Sequence, residues 1–141
     1  MTVSWRDSTS AECQQDFDAL LDQCIDIAAN NLVRNWGLDP TAVVIDTDGH
    51  ESVMMTDDRD GSASRDSLVK SLRDSTESIR SYAVVARVED TAGQRFLEVS
   101  LEHREIAIQT VFPYSIPDTS TFDLGTPRAA VAQHRLFVRG A

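Results

Sequence analysis

The sequence predicts an α+β fold: one antiparallel five-stranded sheet in the order α-β-β-α-β-β-β, two helices packed on it, and an irregular C-terminal tail. Three observations carry this. Apolar residues recur at spacings of three and four along residues 10–36, the period of an amphipathic helix. An Asp48-Gly49 pair stands between two β-rich segments and marks a hairpin. Three further β-rich segments between Tyr82 and Phe112 alternate apolar with polar residues and are joined by short turns. Hairpins force antiparallel pairing, which sets this class apart from a doubly wound parallel sheet.

Thr9 and Glu12 form a T-x-x-E capping box that starts the first helix. Phe17, Leu20, Leu21, Cys24, Ala28 and Leu32 then share one face. Gly37, after Trp36, supplies a left-handed C-cap, and Pro40 prevents continuation. The far side carries Asp18, Asp22, Asp26 and Asn30, each four apart. Three carboxylates in such a row repel one another by roughly 0.2–0.5 kcal/mol per neighbouring pair. No Lys or Arg stands between them. The row lacks the converging oxygens that calcium needs, so it reads as a solvated face or a docking stripe for a basic partner.

Thr41 to Asp46 is the first strand, and a two-residue turn at Asp48-Gly49 would pair Thr47 with His50. That register sets Val44 against Val53 and Ala42 against Met55. Both faces are apolar around Val43 to Ile45, which predicts a central strand. Thr56 to Ala63 is an acidic loop, and Ser64 caps a second helix through about Arg80, with Leu68, Leu72 and Ile79 inward. A hairpin pairing Asp90 with Arg95 sets Val88 on Leu97, Ala86 on Val99 and Val84 on Leu101. A turn at His103-Arg104 then sets Leu101 on Ile106 and Val99 on Ile108. These residues form one apolar sheet face, with the first helix as its cover and the second beside it. After Tyr114 the pattern fades. We therefore read residues 1–114 as a single α+β domain and 115–141 as an irregular segment that docks on the domain or on a partner. This element order resembles that of profilin-like and Roadblock-type domains. The resemblance implies a five-stranded sheet between helices, a long C-terminal helix, and work as a dimeric adaptor.

Charge narrows the functions. The 141 residues hold 13 Lys+Arg and 23 Asp+Glu, a formal charge of −10. Residues 1–127 carry 10 basic and 23 acidic groups, or −13, and residues 128–141 carry three Arg and no acid, or +3. Such a surface repels nucleic-acid backbone and anionic lipid, so no nucleic acid and no membrane is expected as a partner. No apolar run is long enough to span a bilayer and Met1 to Asp7 lacks a signal-peptide pattern, so a cytoplasmic protein is expected. Cys13 and Cys24 fall on one helix face some ~16 Å apart, too far for a disulfide and too few for a zinc site by themselves. No metal and no cofactor is expected.

The sharpest enzymatic signal is Val43-Val44-Ile45-Asp46-Thr47-Asp48-Gly49. An apolar strand ending in D-x-D-G resembles the first motif of haloacid-dehalogenase-type phosphotransferases. The resemblance implies that Asp46 attacks phosphorus, Asp48 is a general acid/base, and Mg²⁺ bridges carboxylates and phosphate. It also implies a parallel sheet with alternating helices. His50, however, stands where that family has Thr or Val, and a second strand follows at once. A plain Asp-Gly hairpin explains the same residues. His50, His103 and His134 are isolated and read as surface or loop residues, and Glu102 to Glu105 as a solvated hairpin tip. The leading expectation is a non-catalytic interaction protein, adaptor- or scaffold-like, acting alone or as a homodimer, with Asp18, Asp22 and Asp26 as its partner-binding residues. Two alternatives stand beside it. One is an acidic inhibitor of the immunity-protein type that binds a basic partner. The other is a Mg-dependent phosphotransferase or hydrolase using Asp46 and Asp48.

Overall fold

The structure, a computed structural model, describes residues 9–34, 38, 40–55, 68–118 and 121–137. Trp5, Trp36, Gly37, the acidic loop 56–63 and the Ser64 cap lie outside the described residues. Helix α1 is Ala11–Val33, β1 is Thr41–Asp46 and β2 is Glu51–Met55. The segment 68–72, here α2, is helical and continues as a 3-10 helix over Arg73–Ser78. Then come β3 (Ile79–Glu89), β4 (Arg95–His103), β5 (Ala107–Asp118), β6 (Thr121–Leu124) and β7 (Arg128–Ala132). The chain is α+β, every strand pair is antiparallel, and β1 is flanked by β2 and β3 as a central strand should be.

The strand count differs from the expectation. Among the described residues the sheet has seven strands, in the order β2-β1-β3-β4-β5-β6 with β7 also on β5. The two extra strands come from the segment expected to be irregular, and where the resemblance implied a C-terminal helix residues 128–132 are β7. Strand β5 runs on to Asp118, and β6 and β7 take successive lengths of it. At their junction the Gly125 N–H donates to the Pro113 carbonyl at 2.6 Å. A Cβ on Gly125 would stand 3.0 Å from the Pro113 ring and 3.3 Å from its carbonyl oxygen, so a larger residue there would have to push β5 back by a few tenths of an ångström. T-F-D-L, between Pro117 and Pro127, and R-A-A-V-A, after Pro127, alternate too weakly to mark either strand.

The hairpin registers differ by one or two residues, and the cause is visible. In the first, Asp46 accepts the Gly49 N–H at 3.0 Å and donates its own N–H to His50 at 3.0 Å. Gly49 has φ +88. This is a three-residue loop closed by a left-handed glycine, not a two-residue turn. Val43 therefore faces Val53 and Ala42 faces Met54. The β3–β4 hairpin is built the same way: Asp90 bonds Gly93 and Gln94 at 3.1 and 3.0 Å, and Gly93 has φ +83. Arg87 thus meets Leu97, and Glu98 meets Ala86. A slip of one residue exchanges faces, so Ala83 and Val85, not Val84, Ala86 and Val88, join Leu97, Val99 and Leu101 beneath α1. The third turn sits one residue later than expected, at Arg104-Glu105, with His103 and Ile106 bonded to each other at 2.9 and 3.2 Å. That moves the pairing by two, to Leu101–Ile108 and Val99–Thr110, and keeps the faces.

Two cores result, one on each side of the sheet. Phe17, Leu20, Cys24, Ala28 and Leu32 of α1 pack on Val43, Ile45, Val85, Val99 and Ile108. On the other side Leu68, Val69 and Leu72 pack on Ala42, Val44, Tyr82 and Val84, together with Leu136 and Phe137 from the chain end. The second helix therefore covers the face opposite α1 rather than lying beside it. Sheets apolar on both faces at β1 and β3 require this, because each face must be shielded from water. No helix among the described residues is long and apolar enough to cross a membrane.

Candidate functional site

Four polar features stand out against this frame. The first is the Asp46 hairpin. One Asp46 carboxylate oxygen, Oδ1, accepts the backbone N–H groups of Asp48 and His50, both at 2.9 Å. These bonds, the one from His50 foremost, hold its carboxyl below the usual range. Asp90 Oδ1 does the same for Ala92 and Gln94, both at 2.9 Å. Ala92 occupies the position of Asp48, so the turn forms without a second acid. Donor atoms of Asp46, Asp48 and His50 do lie within 4.8 Å of one another, but on an exposed hairpin tip. The surrounding sheet is antiparallel throughout, unlike the parallel sheet that the phosphotransferase resemblance implies.

The second feature is the outward face of α1. Asp18, Asp22, Asp26 and Asn30 are all exposed, while Cys13, Phe17, Leu20, Cys24, Ala28 and Leu32 are buried beneath them. A helix advances 1.5 Å per residue, so the three carboxylates repeat roughly every 6 Å along one line.

The third lies where the N-terminus of α1 meets the β4–β5 turn. Ser10, not Thr9, is the N-cap, its hydroxyl accepting the Cys13 N–H at 3.2 Å. Ser10 also donates from its N–H to Glu105 Oε1 at 2.9 Å and from its hydroxyl to Glu105 Oε2. Those bonds depress the Glu105 carboxyl below its ordinary value. Cys13 is fully buried. Burial, helped by Glu105, Asp16 and Glu12, pushes its thiol up to about 12. His103 is only 5% exposed, packed edge-on to Phe17, and is no surface residue. Its Nδ1 accepts the Glu105 N–H at 3.2 Å, while Nε2 is buried with no hydrogen-bond partner among the described residues. One turn along α1, buried Asp16 takes Nε and Nη2 of Arg80, each at 2.8 Å, and the Ser81 hydroxyl at 2.8 Å.

The fourth lies on the opposite sheet face. Glu102, expected on a solvated tip, is 4% exposed. Its carboxylate accepts the Tyr82 hydroxyl at 2.6 Å and the successive backbone N–H groups of Arg135, Leu136 and Phe137 at 2.7–3.2 Å. Three consecutive N–H groups around one carboxylate form an anion-binding nest, here filled by the protein's own side chain. The Arg104 guanidinium lies 4.6 Å over the Phe137 ring and closes the arrangement.

Comparison with protein-family models, with curated proteins and with solved structures finds no match to this chain. The reading of function therefore rests on these residues alone. Asp16 and His103 carried a usable signal. Asp16 falls three after Cys13 and four before Leu20, inside the apolar stripe, and His103 continues the Leu97, Val99, Leu101 alternation. Glu102 carried none, because its partners come from residues 135–137.

Proposed function

We propose that this protein is a non-catalytic interaction domain that binds a basic protein partner through the outward face of α1. The observation that carries the reading is the exposed row Asp18, Asp22, Asp26 on a helix whose other face is spent in the core. Like charges in line gain nothing for the helix itself. Facing Lys or Arg side chains of a partner, the same row steers association and fixes register, and the net charge of −10 extends that field beyond contact range. Asp46, the alternative nucleophile, already has two N–H groups on one oxygen and shapes its turn, as Asp90 does in the turn without a second acid. An acidic inhibitor of a basic enzyme is the narrower form of the proposal, and the cytoplasm is its proposed setting. Two free buried thiols fit a reducing compartment.

The test maps the binding face. An arginine-rich peptide is titrated into the isotopically labelled protein and backbone amide shifts are followed. The expected result is perturbation centred on Asp18 to Asn30, weakening as salt is raised. Perturbation centred on residues 46–50 would favour the Asp46 hairpin and remove the α1 proposal. Light scattering on the same samples decides whether a second copy takes part.

A further inference from the structure

We propose that Cys13, His103 and Glu105, with Glu12 at the rim, form a binding site for one divalent cation of the zinc class. Nothing in the acidic-face reading requires this site. A thiol sulfur, an imidazole nitrogen and a carboxylate oxygen from these three residues lie within 4.8 Å of one another. Tetrahedral zinc, with bonds of about 2.0–2.3 Å, sets its donors roughly 3.3–3.8 Å apart, within reach of small side-chain rotations. His103 Nδ1 already stands 3.5 Å from Glu105 Oε2, and Nε2 stands 3.6 Å from Glu12 Oε1.

The histidine makes the case. Its ring is more than nine-tenths buried, yet Nε2 has no hydrogen-bond partner among the described residues. Buried polar atoms rarely go unsatisfied without a reason. Each ring nitrogen faces a carboxylate. A cation on Nδ1 displaces the Glu105 N–H that this nitrogen accepts in the metal-free protein and leaves the Nε2 proton facing Glu12, the arrangement that orients metal-binding histidines. Glu105 keeps capacity for a metal although Ser10 donates to both of its oxygens, since a carboxylate offers about four lone-pair sites. The donors are mixed sulfur, nitrogen and oxygen. That set suits zinc and disfavours magnesium and calcium, which prefer all-oxygen shells. Entry runs between Glu12 and Glu105, whose side chains are 58% and 36% exposed. On binding, the Cys13 thiol proton leaves to solvent and the thiolate becomes a ligand. The cation would then tie the start of α1 to the β4–β5 turn, two places far apart in sequence.

Cobalt(II) is the probe, because a thiolate ligand gives it a charge-transfer absorption band. Reduced full-length protein is titrated with cobalt and then with zinc. The expected result is one cobalt per chain, a thiolate band that zinc abolishes, and a rise in Tm with zinc. Cys13→Ser should remove the band, whereas Cys24→Ser and His50→Asn should keep it. Because Cys13 is buried, Glu105→Gln and Glu12→Gln provide readouts at exposed positions. Their combination should weaken zinc binding at least about tenfold. No thiolate band in the wild type, a band that survives Cys13→Ser, or zinc affinity unchanged in the glutamine double variant would each overturn the proposal.

Discussion

Glu102 accepts the Tyr82 hydroxyl at 2.6 Å inside the second core, where Phe137 sits edge-on to the same tyrosine ring. This pair fastens the chain end to the sheet, because the Glu102 carboxylate also holds the N–H groups of residues 135–137. Glu102→Ala strips buried donors of their carboxylate acceptor and should cost about 3–5 kcal/mol. Tyr82→Phe removes one hydroxyl bond and should cost about 1.5–3 kcal/mol. Urea midpoints at constant slope measure both. A loss below about 1 kcal/mol for Glu102→Ala would mean that the tail does not depend on this carboxylate.

Asp16 and Arg80 join α1 to β3 through two bonds of 2.8 Å. Breaking one side of a buried pair strands the other charge. Asp16→Asn should therefore cost about 3 kcal/mol, the low end of the usual range because Arg80 reaches water in part. A double-mutant cycle with Arg80→Met should return a coupling energy above about 1 kcal/mol. Additive losses would contradict the assignment.

The two glycine-closed loops make a paired prediction. Gly49→Ala and Gly93→Ala should each destabilise by about 1–2 kcal/mol, since both glycines hold positive φ. Asp46→Ala and Asp90→Ala should behave alike in thermal melts, because both carboxylates receive two loop N–H groups. If Asp46→Ala were silent for stability, the turn-building role argued for Asp46 would fall.

Acid should weaken the fold through Glu105. Ser10 lowers the Glu105 carboxyl from its ordinary 4.5 in the folded state. A depressed carboxyl contributes stability that is present above the ordinary value and is lost as pH falls through the lowered one. Asp46 acts in the same direction. Urea titrations from pH 6 downward should show falling stability beginning near the ordinary carboxylate range, with a shallower fall in Glu105→Gln. Unchanged slopes would contradict the Ser10–Glu105 contact.

Several of these features are legible in the residues. The α1 stripe from Phe17 to Leu32 and the hairpins at Asp48-Gly49 and residues 90–95 follow directly from period and turn chemistry. Their registers do not, because a left-handed glycine closing a three-residue loop shifts pairing by one, and both D-T-x-G turns share that shift. The position of α2 is hidden for another reason: Val43 and Val44 are both apolar and point to opposite faces, so neither period nor turn chemistry assigns a helix to either face. Strands β6 and β7 escaped since edge strands of Ala, Thr and Arg show little alternation. Glu102 and His103 look like a charged tip until the chain end and α1 are seen to close over them.

The binding claim is tested most directly by comparing what the native protein, an Asp18→Lys/Asp22→Lys/Asp26→Lys variant and Asp46→Asn retain from the same cell extract at low and high salt. The account predicts basic proteins held by the native chain and by Asp46→Asn, released by salt, and absent from the triple variant. Equal retention by the triple variant would contradict it.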